Sequence, residues 1–142
     1  MKNNILIYSE VNFNSHRGIY RKYYTLAKYL ESSDTFVSLK SNSYHGLFFK
    51  LGLDYLGVIK SLSSYTHIYL RNNTRTTAFF WYFILLSWCK FSKKKVTIEI
   101  PTWPFITEEY SGIKSILANL NFNFNILLYK FFNFKLLVCS PN

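Results

Sequence analysis

The sequence predicts an α/β fold: a Rossmann-like parallel sheet with helices on both faces. Three observations carry that reading. Short apolar or β-branched runs recur at residues 5–9, 35–39, 65–70, 96–100 and 134–139. The stretches between most of them space their apolar residues as helices do. Strand and helix patterns alternate, as in parallel sheets joined by crossover helices. At 142 residues and 49% hydrophobic, the chain suits a single domain over 1–142 with a real core.

Each element has its own signal. Residues 5–9 form a short apolar run, the first central strand. Gly18 opens a helix with Ile19, Tyr23, Leu26, Ala27 and Leu30 on one face. Glu31 to Asp34 close it, and 35–39 make the second strand, completing a βαβ unit with a right-handed crossover. Residues 41–64 give the weakest pattern: 47–49 read as a strand and 53–62 as a short helix. The next strand, 65–70, ends at Arg71. Thr74 or Thr77 caps a helix reaching Phe91. Lys93, Lys94 and Lys95 lead into the strand 96–100. After a proline loop, Ile113, Leu117, Leu120, Phe124, Leu127 and Phe131 mark an apolar helical stripe, and 134–139 is the last strand.

Charge and composition narrow the function. The net charge is +10, which favours nucleic acid, acidic lipid surfaces or phosphorylated substrates as partners. Most aromatics lie in continuous apolar runs rather than between basic residues, so nucleic acid is not the expected partner. Cys89 and Cys139, both in apolar runs, read as buried free thiols in a reducing compartment. The apolar run near the N-terminus is too short for a signal-peptide core. The longest apolar run, 78–86, falls well short of the roughly 20 residues of a membrane span. Its helix is nonetheless apolar all round, with lysines at its C-terminus, so it suits either core burial or a membrane surface. The expected location is cytoplasmic, with the inner face of the cell membrane left open.

The segment 96–105 is the most informative. A strand runs into a loop fixed by Pro101 and Pro104. Open α/β sheets bind ligands at such strand ends. Thr102 offers a hydrogen-bonding group there and Trp103 a flat face for a sugar ring; packing beneath the loop is the other use for Trp103. Glu99 either positions an acceptor hydroxyl or anchors the loop, and anchoring has the stronger case. Arg71 ends the preceding strand, where its guanidinium can clamp a phosphate or sugar hydroxyls, or pair with Glu99. Asn72, Asn73 and Arg75 belong to the same loop. Gly18, at a helix start, can admit a phosphate to the backbone amides; a turn glycine is the plainer reading. His16, Arg17 and Lys22 add charge, although a lysine on a helix is ordinarily solvated. Glu108 and Glu109 suit a helix N-terminus.

Other chemistries lack their residues. His16, His45 and His67 are scattered, with no metal-ligand spacing. There is no Gly-x-Gly-x-x-Gly, no P-loop and no Gly-x-Ser-x-Gly elbow, so no cofactor is predicted. Seven acidic residues leave few options for a two-carboxylate hydrolase.

Glu-Ile-Pro-Thr-Trp-Pro-Phe with Glu108-Glu109, His67-Ile-Tyr-Leu-Arg71, and Ile5-Leu-Ile-Tyr-Ser9 with Gly18-Ile-Tyr-Arg-Lys22 together resemble the N-terminal, acceptor-side domain of GT-B glycosyltransferases of the family 4 type. The likeness spans essentially the whole chain; the proline motif is its most specific part. It implies a retaining sugar transfer from a nucleotide-sugar donor to a glycan or lipid-linked acceptor in cell-surface polysaccharide synthesis. It implies no dedicated general base, and a cleft lined by the Gly18, Arg71 and Glu99 loops. Lys22 aligns with a basic residue of the family segment. Most donor contacts in that family come from a second Rossmann-like domain with a Glu-x7-Glu motif. Nothing in 1–142 corresponds to it, so the expectation is a truncated or split transferase, inactive alone and completed by a separate donor-domain chain. A non-catalytic subunit that recruits the acceptor at the membrane is the alternative.

Overall fold

The computed structural model describes residues 3–42, 48–72, 76–101 and 112–139. Strands β1 (Asn3–Ser9), β2 (Thr35–Ser41), β3 (His67–Arg71), β4 (Lys95–Ile100) and β5 (Lys135–Val138) alternate with helices α1 (Arg17–Leu30), α2 (Phe48–Ser61), α3 (Phe79–Phe91) and α4 (Ile113–Phe132). All strand pairings are parallel, in the order β2-β1-β3-β4-β5. This is the Rossmann-like parallel sheet expected from the alternation of patterns.

Strand periodicity sends alternate side chains to opposite faces. Leu6, Tyr8, Ile68, Leu70, Val96 and Ile98 join the large core formed with α2, α3 and α4. Ile5, Ile7, Val37, Leu39 and Tyr69 join a smaller core against α1, around Tyr23 and Ala27. Among the described residues, helices therefore lie on both faces, α2, α3 and α4 on one and α1 on the other. The division follows from right-handed crossovers: β1 to β2 moves one way along the sheet, and every later step moves the other way. The strand order reverses at β1. The carboxyl ends of β1 and β3 thus flank a topological switch point, the usual ligand crevice of such sheets.

Two local expectations are corrected. Phe48 and Phe49, expected in a strand, form the first turn of α2. Leu51, Tyr55, Val58 and Leu62 are buried at helical spacing behind them, so the helical stripe overrides a short apolar run that periodicity alone leaves ambiguous. Thr77 sits in a 3-10 turn, Thr76–Ala78, and Ala78 occupies the N-cap of α3 with no side-chain cap. Leu47 and Thr74 lie outside the described residues.

Helix α4 has the expected length but an unexpected orientation. Its buried positions are Ala118, Asn121, Asn125, Tyr129 and Phe132. Ile113, Leu117, Leu120, Phe124, Leu127 and Phe131 all face outward. The inner stripe has the same helical period, rotated toward residues that hydrogen-bond. Among the described residues, no helix is long and apolar enough to cross a membrane.

Candidate functional site

The carboxyl edge of the sheet carries two polar clusters, one on each face. The first lies beneath α1. Glu99, near the end of β4, is 1% exposed, and its carboxylate receives two hydrogen bonds. Lys22 Nζ donates to Oε1 at 2.6 Å and Tyr69 Oη donates to Oε2 at 2.8 Å. Burial alone would push the Glu99 carboxyl up. The Lys22 and Tyr69 hydrogen bonds and the Lys22 charge outweigh it, and the group sits below its usual range. The carboxylate is therefore an ionised, already occupied acceptor.

Tyr23 and Arg71 complete this cluster. The Tyr23 ring meets Tyr69 edge-on at 6.1 Å. Burial and the Glu99 charge raise the Tyr23 phenol, while Arg71 opposes them. Its hydroxyl is buried without a hydrogen bond of normal geometry. Arg71 stands opposite Glu99 in the β3–β4 register, yet the two form no ion pair, one of the two uses that the sequence leaves open for Arg71. Glu99 pairs with Lys22 instead, because β-register sets the backbones side by side while Lys22 reaches the carboxylate directly from α1. Lys22 is thus not simply solvated: half of its side chain is covered. Its ammonium also lies 3.8 Å from Cys139 Sγ.

The second cluster lies on the other face, between the ends of β1 and β3 and the inner side of α4. Tyr8 Oη donates to Asn42 Oδ1. Tyr129 Oη donates to Asn72 Oδ1 and accepts from Tyr82 Oη at 2.9 Å. Tyr55, fully buried, meets the Tyr8 ring edge-on at 5.6 Å. Burial raises the phenols of Tyr8, Tyr55 and Tyr129; Asp54 at Tyr8, Tyr8 at Tyr55 and Tyr82 at Tyr129 raise them further, and the buried Glu10 adds a smaller push to all three. All three phenols are held neutral; Tyr8 and Tyr129 act as donors rather than bases, while the Tyr55 hydroxyl has no hydrogen bond of normal geometry among the described residues. The Asn42 and Asn72 side-chain amides keep unpartnered Nδ2 donors among the described residues.

The structure thus gathers Lys22, Arg71 and Glu99 on one face and sends Asn72, the next residue after Arg71, to the other. His16 and Gly18 are exposed at the start of α1, where the His16 ring lies 3.4 Å from the Asn12 carbonyl. Gly18 is the second helical residue, not a turn glycine. Its φ is not left-handed, and a Cβ there would meet nothing within 4 Å. Thr102 and Trp103 lie outside the described residues, as do Asn73, Arg75, Glu108 and Glu109. Sequence reasoning missed Tyr23 and Tyr69, which flank the carboxylate, and the whole tyrosine–asparagine network. A signal existed for the latter: Asn121, Asn125 and Tyr129 form a period-four polar stripe inside an apolar helix. Among the described residues, no three His, Cys, Asp or Glu side chains converge as a metal site.

Chemically, this edge offers a half-buried guanidinium at Arg71 and buried amide donors at Asn42 and Asn72. Such groups suit oxyanions and hydroxyl-rich ligands. No family model matches the chain, and no curated protein matches it.

Proposed function

We propose that the chain is the acceptor-side half of a GT-B glycosyltransferase that moves a sugar from a nucleotide-sugar to a glycan or lipid-linked acceptor in cell-surface polysaccharide synthesis. One observation carries the reading. Glu99, which opens the Glu-Ile-Pro-Thr-Trp-Pro-Phe segment, is locked in place at the carboxyl edge of a parallel sheet, with Arg71 on the neighbouring strand.

On this reading the residues divide their work. Glu99 is held ionised by Lys22 and Tyr69 and is a weakened base, so it does not abstract a proton. It fixes the exit of β4 and hence the start of the loop at Pro101. Arg71, with no ion pair among the described residues, supplies the positive charge for a phosphate or sugar hydroxyls. The exposed start of α1, open around Gly18, leaves its first amides free for an anionic group. Donor binding is the work of a second α/β unit.

The experiment is deletion and complementation in the source organism, with the cell-surface glycan as readout. Deletion should shorten or remove one glycan. The wild-type gene should restore it, and an Arg71→Ala gene should not, despite equal protein level. An unaltered glycan profile after deletion sinks the reading.

A further inference from the structure

We infer that the outward face of the α2–α3–α4 layer is a docking surface for an anionic lipid bilayer. The inference stands apart from the proposed sugar chemistry and uses none of the residues of the carboxyl-edge clusters.

The first observation is the inverted α4. A helix on a sheet ordinarily turns its apolar stripe inward. Here the inner stripe mixes Asn121, Asn125 and Tyr129 with Ala118 and Phe132, while Ile113, Leu120, Leu127 and Phe131 are between 61% and 80% exposed. The apolar stripe continues onto the neighbouring helices. Phe79 of α3 meets Phe124 of α4 at 5.3 Å, and Phe48 of α2 lies 6.1 Å from Phe80 of α3. Phe83, Trp88 and Phe91 extend the outward face of α3, and Leu53 and Leu56 that of α2. An apolar area built from three adjacent helices exceeds the scattered exposure normal for a monomer.

Charge selects the occupant. The three helices contain one acidic residue, Asp54, and five lysines: Lys50, Lys60, Lys90, Lys114 and Lys130. At the C-terminal ends of α3 and α4, Lys93, Lys94, Lys95 and Lys135 surround a hollow with Phe91 and Phe134 and no carboxylate. Apolar side chains flanked by lysines match the boundary between acyl chains and anionic headgroups, where lysine stems extend toward the phosphates. A second copy of the chain fits less well. Face-to-face pairing sets these lysines against one another, each copy carrying a net charge of +10. A single-stranded nucleic acid would use the basic hollow but not the leucine and isoleucine stripe.

The test is co-sedimentation of the purified chain with vesicles. One set is phosphatidylcholine alone; the other contains roughly one part in three phosphatidylglycerol, to supply the negative surface. Binding to the anionic set should be about tenfold tighter or more, and should weaken steeply with salt. The Leu120→Ser/Leu127→Ser/Phe131→Ser variant changes only exposed positions. It should lose about tenfold or more of the affinity while keeping its circular dichroism. The Lys114→Glu/Lys130→Glu variant should lose a similar factor without touching the apolar stripe, and it decides the matter if the triple variant misfolds. Equal binding to both vesicle sets, or variants that bind like wild type, overturns the inference. So does a dimer that the triple variant dissociates while vesicles go unbound, or tighter binding to a single-stranded oligonucleotide than to the anionic vesicles.

Discussion

Lys22 Nζ stands 2.6 Å from Glu99 Oε1 and ties helix α1 to strand β4 across 77 residues of chain. The pair is asymmetric: half of the lysine side chain meets solvent, while the carboxylate does not. Removing either partner is therefore not equivalent. Lys22→Met leaves Glu99 buried with one hydrogen bond fewer, a loss of about 1–3 kcal/mol. Glu99→Ala frees a lysine that can turn to water, but strips Tyr69 of its acceptor and opens a void. We expect a loss of about 2–4 kcal/mol there. Solvent screening at Lys22 holds the coupling in a double-mutant cycle to about 1 kcal/mol. Urea unfolding of the four proteins measures it; a coupling near zero would mean that the ion pair does not hold α1 to the sheet.

The same carboxylate makes stability fall in acid. Its pKa in the folded chain is depressed below the ordinary value of 4.5. The unfolded chain therefore takes up this proton at a higher pH than the folded chain does. The contribution of Glu99 is complete above the unfolded value and is lost as pH falls through the folded one. The urea midpoint should hold steady from pH 7 to about 5.5 and then drop, more steeply in wild type than in Glu99→Gln. Parallel profiles for the two proteins refute the assignment.

The fold was legible because its signals are local. The run from Ile5 to Ser9, the Ile19-Tyr23-Ala27 stripe and the strand before Pro101 each declare their state within a few residues. Orientation was not legible. In α4 both stripes share one period, and hydrophobicity ranks the wrong one as the core. What turns the helix is Tyr129, whose hydroxyl meets partners 47 and 57 residues away, a long-range relation that no window detects. The site divides in the same way. Glu99 and Arg71 announce themselves at strand ends, whereas the choice of Lys22 over Arg71 as the partner of Glu99 depends on where α1 crosses the sheet.

The buried tyrosines offer a sharper contrast. Tyr129→Phe removes two hydrogen bonds and leaves Asn72 Oδ1 without its donor, so it should cost about 2–3 kcal/mol. Tyr55→Phe removes a buried hydroxyl that has no hydrogen bond of normal geometry among the described residues. It should be neutral or stabilise by about 1 kcal/mol. Thermal and urea unfolding of the two variants should move in opposite directions or nearly so. Equal losses would show that the Tyr55 hydroxyl is as well satisfied as that of Tyr129.

Lys93 closes helix α3 in a left-handed conformation, φ 54°, with Lys94 N–H reaching back to the Cys89 carbonyl at 3.0 Å. This is the helix stop that glycine usually provides. A side chain strains it, so Lys93→Gly should raise stability by about 1 kcal/mol. Alanine should not, because its Cβ meets the same backbone. A stabilising alanine would point to relief of the lysine charge cluster rather than of the backbone.

The two thiols should report on the core directly. Cys89 is wholly buried, and desolvation pushes its thiol up to about 12. Cys139, expected from its apolar run to be buried, is instead partly exposed, because it follows the last residue of β5 at the edge of the sheet, beside the Lys22 ammonium. Near pH 8 a thiol titrating at about 12 presents roughly a thousandfold less thiolate than an ordinary one. Burial adds a steric barrier, so Cys89 reacts only when α3 leaves the sheet. Ellman's reagent should therefore label one thiol quickly in the native chain and both in urea. The slow phase should track the opening of α3, and Lys93→Gly should slow it further. Rapid labelling of two thiols without denaturant would mean that α3 does not pack as described.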